Sequence, residues 1–171
     1  RNVHGNVGFL PHYFERVLKI AAERKEGIAF LHSHPSSGWQ GMSDDDVIAE
    51  TRISPSVMGL TDLPLLGLTL GTDGAWSGRF WIKDGKEKRK YKRNWCDSVR
   101  VIGKKLSITF NDALLPPIFD SAKQLRTISA WGSKIQEDLS RLKIGIVGLG
   151  SVGSIVAEIL ARTGIANFTL I

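Results

Sequence analysis

A single cysteine, Cys96, stands in 171 residues, so no intrachain disulfide can form. That suits a reducing compartment. The opening stretch RNVHGNVGFL has no apolar core of signal-peptide length. The longest uncharged apolar run, residues 144–157, is 14 residues and rich in glycine, short of the roughly 20 that cross a bilayer. A soluble, cytoplasmic chain without membrane partners is expected. Hydrophobic residues at 42% and charged residues at 23% exclude global disorder. The length suffices for one large domain, or one and a part.

The net charge of +6 is not spread along the chain. KDGKEKRKYKR, residues 83–93, has seven Lys or Arg against two acids and so contributes +5 by itself. Tyr91 and Trp95 interleave with it, a pattern compatible with nucleic acid. A basic loop that meets an acidic protein fits equally, and a charge run after a strand is ordinarily a solvated loop. The solvated loop is the reading adopted here, without a nucleic-acid partner.

Periodicity predicts the elements. HYFERVLKIAAERKEG places Phe14, Val17, Leu18 and Ala21 at helical spacing, with Gly27 as the stop. GIAFLH reads as a short buried strand, and SDDDVIAETRI as a helix ending before Pro55. LPLLGLTL and AWSGRFWI flank GTDG, a hairpin signal. VRVIG and LSITF supply one or two further strands. The paired prolines in ALLPPIFD mark a boundary, giving domains at 1–115 and 118–171. After it, AKQLRTISAWGSKIQEDLSRL is mostly helical, and KIGIVGLGSVGSIVAEILARTGIANFTLI reads strand, glycine turn, helix, strand, the start of a parallel α/β unit. No internal repeat or low-complexity segment is present.

Of the four histidines, two lie in LHSHPSSGWQGMSDDD. Alternate residues on a strand share a face, so His32 and His34 can aim both imidazoles at one point. Ser43 with Asp46 three residues later matches a helix capping box, which would carry Asp46 back toward the strand end. Two imidazoles and a carboxylate leave a fourth tetrahedral position open, as catalytic zinc sites do. The same residues also fit an ordinary strand, turn and capped helix. Asp44 and Asp45 are charges favoured at a helix N-terminus rather than ligands.

HSHPSSGWQGMSDDD resembles the JAMM (MPN-plus) motif of zinc isopeptidases that cleave ubiquitin-like proteins from their conjugates: His-x-His-Pro, a spacer, then Ser-x-x-Asp. The resemblance implies His32, His34 and Asp46 as zinc ligands, with Ser43 as the catalytic support of the water or oxyanion. It also implies a mixed β-sheet flanked by helices. The spacer, Ser36 to Met42, is one residue longer than is common in the family, a change loops absorb easily. The family's general-base glutamate has no counterpart. Glu15, Glu23 and Glu26 are the only upstream glutamates, and all belong to the first helix or its end. Either the chain begins after that glutamate, as Arg1 in place of methionine suggests, or the site binds metal without hydrolysis.

GLGSVG, with Gly148, Gly150 and Gly153, is a G-x-G-x-x-G turn between a strand and a helix whose free N–H groups face a phosphate. Residues 126–171 resemble the opening of ThiF and MoeB-like adenylating enzymes, the superfamily of the ubiquitin-activating enzymes. Arg126, Gly132, Gln136 and Leu139 match that family's recurrent residues in order and spacing. The resemblance implies ATP with Mg2+ as cofactor, phosphates at Gly148, Gly150 and Gly153, Arg126 near the nucleotide, and a homodimer. A nicotinamide-binding Rossmann domain is the alternative on GLGSVG alone.

Together these readings give an α/β chain: a JAMM-type sheet followed by the first βαβ unit of a Rossmann-like adenylating domain. The function expected is zinc-dependent cleavage of ubiquitin-like protein conjugates or precursors, fused to ATP-dependent activation of such a protein. A catalytically inert binding module on the same scaffold is the competing expectation.

Overall fold

The computed structural model describes residues 8–85, 91–118 and 120–171; the expectations for the first seven residues and for Lys86, Glu87, Lys88, Arg89 and Lys90 of the basic run lie outside them. Two compact units divide between Thr109 and Phe110. No helix among the described residues is long and apolar enough to cross a membrane.

In the first unit, α1 (Pro11–Arg24) starts on a proline, which a first helical turn accepts because its N–H would have no partner there. It buries Leu18 and Ala21. The expected stop at Gly27 is corrected: the helix ends at Arg24, and Lys25 turns left-handed at φ 55°. The Lys25 and Glu26 N–H groups bond to the Ala22 and Ala21 carbonyls at 3.3 and 2.9 Å, which completes the cap before glycine is needed. β1 (Ile28–Ser33) follows, then α2 (Asp44–Thr61), β2 (Leu65–Leu70), β3 (Trp76–Lys83) and β4 (Tyr91–Trp95).

These strands form one mixed sheet in the order β1-β2-β3-β4. β1 runs parallel to β2, whereas β2–β3 and β3–β4 are antiparallel, the first of these pairs being the hairpin expected around GTDG. The register sets rows across the sheet. Ile28, Leu65 and Trp81 share one row, Phe30, Gly67 and Arg79 the next, and His32, Thr69 and Ser77 the third. The first row joins Leu18 of α1 and Val57 and Met58 of α2 in the core. Fully burying side chains of this size stabilises by about 1.5–3 kcal/mol each.

That core explains a second correction. α2 does not end before Pro55 but continues to Thr61. Pro55 cannot donate to the Thr51 carbonyl, and the Ser54 hydroxyl donates to it instead at 3.4 Å. The extra turns are held by Val57, with no exposed surface, and Met58, 5% exposed. A third correction concerns the basic run. Tyr91, Lys92 and Arg93 are not loop but the start of β4, paired with Lys83, Ile82 and Trp81. Charge obscured the alternation of Tyr91, Arg93 and Trp95. β5 (Ser98–Ile102) and β6 (Leu106–Phe110) pair as a separate ribbon.

In the second unit, α3 (Leu125–Trp131) and α4 (Ser133–Ser140) divide at Gly132, whose φ of 87° breaks the expected helical run. β7 (Lys143–Ile146), α5 (Ser151–Arg162) and β8 (Asn167–Leu170) complete a βαβ unit with β7 and β8 parallel. Gln136 is fully buried in it. Its Nε2 donates to the Thr163 carbonyl at 2.8 Å, and its Oε1 accepts from the Trp131 indole at 3.2 Å.

A Cβ at Gly153 would overlap the Gly148 carbonyl oxygen, whereas one at Gly145 would meet nothing within 4 Å. Gly153→Ala should therefore destabilise by about 1–3 kcal/mol, read as a lowered denaturation midpoint, and Gly145→Ala by much less. Equal midpoints for the two variants would refute the close packing of turn and helix.

Candidate metal centre and glycine turn

His32 lies on β1, and His34 follows the strand end, where its N–H still continues the ladder to the Leu70 carbonyl at 2.9 Å. Asp46 comes from the first turn of α2. The capping box forms as its spacing demands: Ser43 Oγ accepts from the Asp46 N–H at 3.2 Å, and Asp46 Oδ2 accepts from the Ser43 N–H at 2.9 Å. Asp44 and Asp45 occupy the same first helical turn and take no part in the cluster.

The three side chains meet in a triangle. His32 Nε2 lies 3.0 Å from His34 Nε2 and 3.1 Å from Asp46 Oδ1, and His34 Nε2 lies 3.1 Å from Asp46 Oδ2. A neutral imidazole Nε2 carries either one proton or one lone pair. With Asp46 ionised and both imidazoles neutral, no assignment of tautomers makes all three contacts hydrogen bonds, since one pair always sets proton against proton or lone pair against lone pair. A cation shared by the three groups removes that conflict. Donors on the face of a tetrahedron with bonds of about 2.0–2.1 Å lie about 3.3–3.4 Å apart, close to the spacing seen here. The donor set therefore fits zinc.

Electrostatics favour the ligand forms. Burial pushes His32 below its ordinary value of 6.5, against the pull of Asp46, and the charges of Arg79 and His34 add to the lowering. Burial pushes Asp46 upward, but hydrogen bonds from the Ser43 backbone and hydroxyl, with the two histidines, hold it below 3.8. A neutral imidazole and an ionised carboxylate are the states that donate electron pairs to a metal. His32 Nδ1 is buried without a hydrogen-bond partner among the described residues. No further carboxylate, thiol or imidazole joins the cluster among them, and Glu15, Glu23 and Glu26 lie on or just past α1, exposed.

The long spacer is tied down rather than loose. Gln40 is buried, its N–H donates to Ser77 Oγ at 2.7 Å, and its side-chain amide donates to the Ser37 and Gly38 carbonyls. Asp73 of the β2–β3 turn accepts from the Gly38 N–H at 3.0 Å. The Trp39 ring meets Trp95 edge-on at 6.2 Å, and the Arg93 guanidinium lies over Trp95 at 5.4 Å.

Sequence reasoning missed the charges beneath the site. Glu50 and Arg79 are both fully buried. Arg79 Nε lies 3.1 and 3.0 Å from the two Glu50 oxygens, Arg79 Nη2 also donates to Glu50 Oε1, and the Trp81 indole donates to Glu50 Oε2 at 2.7 Å. Arg79 Nη1 donates to Thr69 Oγ1 at 2.7 Å. Removing one partner of such a pair typically costs about 3–5 kcal/mol, because the other charge stays buried and uncompensated. The only hint in the sequence is Glu50 one helical turn after Asp46, on the same helix face.

In the second unit Gly148, Gly150 and Gly153 lie in the turn after β7 and the start of α5. Gly148 has φ 86°, and its N–H donates to the Ile171 carbonyl at 2.7 Å. Gly150 is the N-cap of α5, and Gly153 packs in the first turn against Gly148. Arg126 is exposed on α3, with no side-chain partner among the described residues.

The Asp73 carboxyl is held below its ordinary 3.8 by the N–H groups of Ala75 and Gly38. A lowered folded pKa means stability present above the unfolded value and lost as pH falls through the folded one. Acidification below about 4 should therefore lower the protection of the Gly38 amide relative to its intrinsic exchange rate, and Asp73→Asn should abolish that dependence. The same pH profile in both proteins would show that the carboxylate does not anchor the spacer.

Residues 121–171 match the model of the ThiF family. No curated protein and no solved structure matches the chain. The C-terminal stretch, with its strand, glycine turn, helix and strand, is thus similar to the ThiF family over residues 121–171.

Proposed function

We propose that the first unit is a zinc-dependent peptidase or isopeptidase centre acting on ubiquitin-like protein conjugates or precursors. We join to it the reading of residues 118–171 as part of an ATP-dependent adenylating domain for such a protein. The observation that carries the first half is the triangle of His32, His34 and Asp46 at 3.0–3.1 Å. His32 and His34 would hold the ion through Nε2 and Asp46 through its carboxylate. Bound there, zinc would supply a Lewis acid and lower the pKa of a coordinated water.

The chain's own groups do the rest. Ser43 Oγ accepts from the Asp46 N–H, and its hydroxyl proton, which favours the ionised Asp46 carboxylate, would turn from it to a developing oxyanion. The capping box fixes the Asp46 carboxylate before any ligand arrives. The family resemblance, more than the geometry, supplies the substrate: a carbonyl after the C-terminal glycine of a ubiquitin-like protein. In the second half, Gly148, Gly150 and Gly153 with the α5 N-terminus would take the ATP phosphates and Mg2+, with Arg126 near the nucleotide. The match of residues 121–171 to the ThiF family favours this over a nicotinamide site. A cytoplasmic location and a homodimer accompany this reading.

One observation favours a second reading. Among the described residues no further carboxylate stands at the cluster to serve as general base. The unit would then be an inert binding module that presents a ubiquitin-like protein to the adenylating part.

The purified full chain should contain one zinc per molecule, lost in His34→Ala with the fold retained. A metal-free, natively folded chain that takes up no added zinc would sink the metal reading. Zinc without release of a C-terminal extension from a ubiquitin-like precursor would select the binding module.

A further inference from the structure

We infer that Glu50 and Arg79 are positioning residues for the metal centre, setting the height of Asp46 over His32 and His34. This rests on the reading of His32, His34 and Asp46 as metal ligands. Asp46 and Glu50 are four residues apart on α2, a rise of about 6 Å. His32 and Phe30 are two residues apart on β1, a step of about 6.6 Å. The near-equality of these lengths puts one carboxylate over each of two adjacent rows of the sheet. Asp46 meets the row of His32 and Thr69, and Glu50 meets Arg79 in the row of Phe30 and Gly67.

The guanidinium links both rows. It binds the Glu50 carboxylate on one side and Thr69 Oγ1, the cross-strand neighbour of His32, on the other. Gly67 makes room for it, since a Cβ there would come within 2.7 Å of Arg79 Nε and Glu50 Oε1. Apolar contacts would hold α2 against the sheet but would let it slide. A guanidinium–carboxylate fork has fixed distances and directions, so it registers the helix against the strand that carries the histidines. The capping box orients the Asp46 carboxylate about the helix end but does not set the helix's place along β1.

The test uses the full chain and two readouts: zinc affinity by chelator competition, and the unfolding midpoint of the metal-free protein. Glu50→Leu combined with Arg79→Met removes both charges, a replacement that buried ion pairs often tolerate in stability. The expected result is a near-parental midpoint with zinc affinity lowered about 10–100-fold, the loss usual when support of a ligand is removed. A double variant that binds zinc as tightly as the parent overturns the positioning role alone. A parent that binds no zinc overturns the metal reading and this inference with it. If the double variant does not fold, Thr69→Val decides, because it keeps side-chain volume and removes only the acceptor. Affinity lowered about tenfold supports the inference, whatever the fall in midpoint from leaving a guanidinium N–H without its acceptor, and unchanged affinity overturns it.

Discussion

The first unit turns on the buried contact between Glu50 and Arg79. Two charges without solvent exposure are tolerable only when each polar atom has a partner, and here α2, β2 and β3 each provide some of them. Trp81 uses its indole N–H on Glu50 while its ring joins the core. Gly67 keeps the strand below them bare. One ion pair thus constrains a helix, two strands and the one glycine that leaves space for it.

The site sits at the open end of that arrangement. Along α2 the sheet-facing residues change character in order. Asp46 reaches the histidines, Glu50 reaches the buried arginine, and Val57 and Met58 enter the apolar core. The polar end carries the candidate ligands, and the apolar end carries the burial energy. Between them, a lowered His32 and a lowered Asp46 are both consequences of position: burial for the imidazole, and the Ser43 hydrogen bonds, overcoming burial, for the carboxylate. In the second unit Gln136 has a related part, since a buried amide ties α4 to the turn after α5.

Local patterns written in the sequence survived folding where the cause was local. The capping box needs only Ser43 and Asp46 at a spacing of three, and it formed. The GTDG hairpin, the Gly148 turn with its positive φ, and the alternation of His32 and His34 follow from backbone geometry over a few residues. Two misreadings came where tertiary packing or pairing overrode a local signal. Pro55 is a helix breaker by itself, yet Ser54 and the core residues after it keep α2 intact. The charge of residues 91–93 argued for a loop, yet pairing with β3 made a strand.

The sequence by itself determined the donor types, their spacing, the capped helix and the glycine turn, because each depends on residues within a turn or a strand step of one another. Only the tertiary structure decided that His32, His34 and Asp46 close to 3.0–3.1 Å, and that Glu50 finds Arg79 29 positions away. Sheet register and helix placement are long-range properties. They depend on which rows face each other, and no local pattern states that.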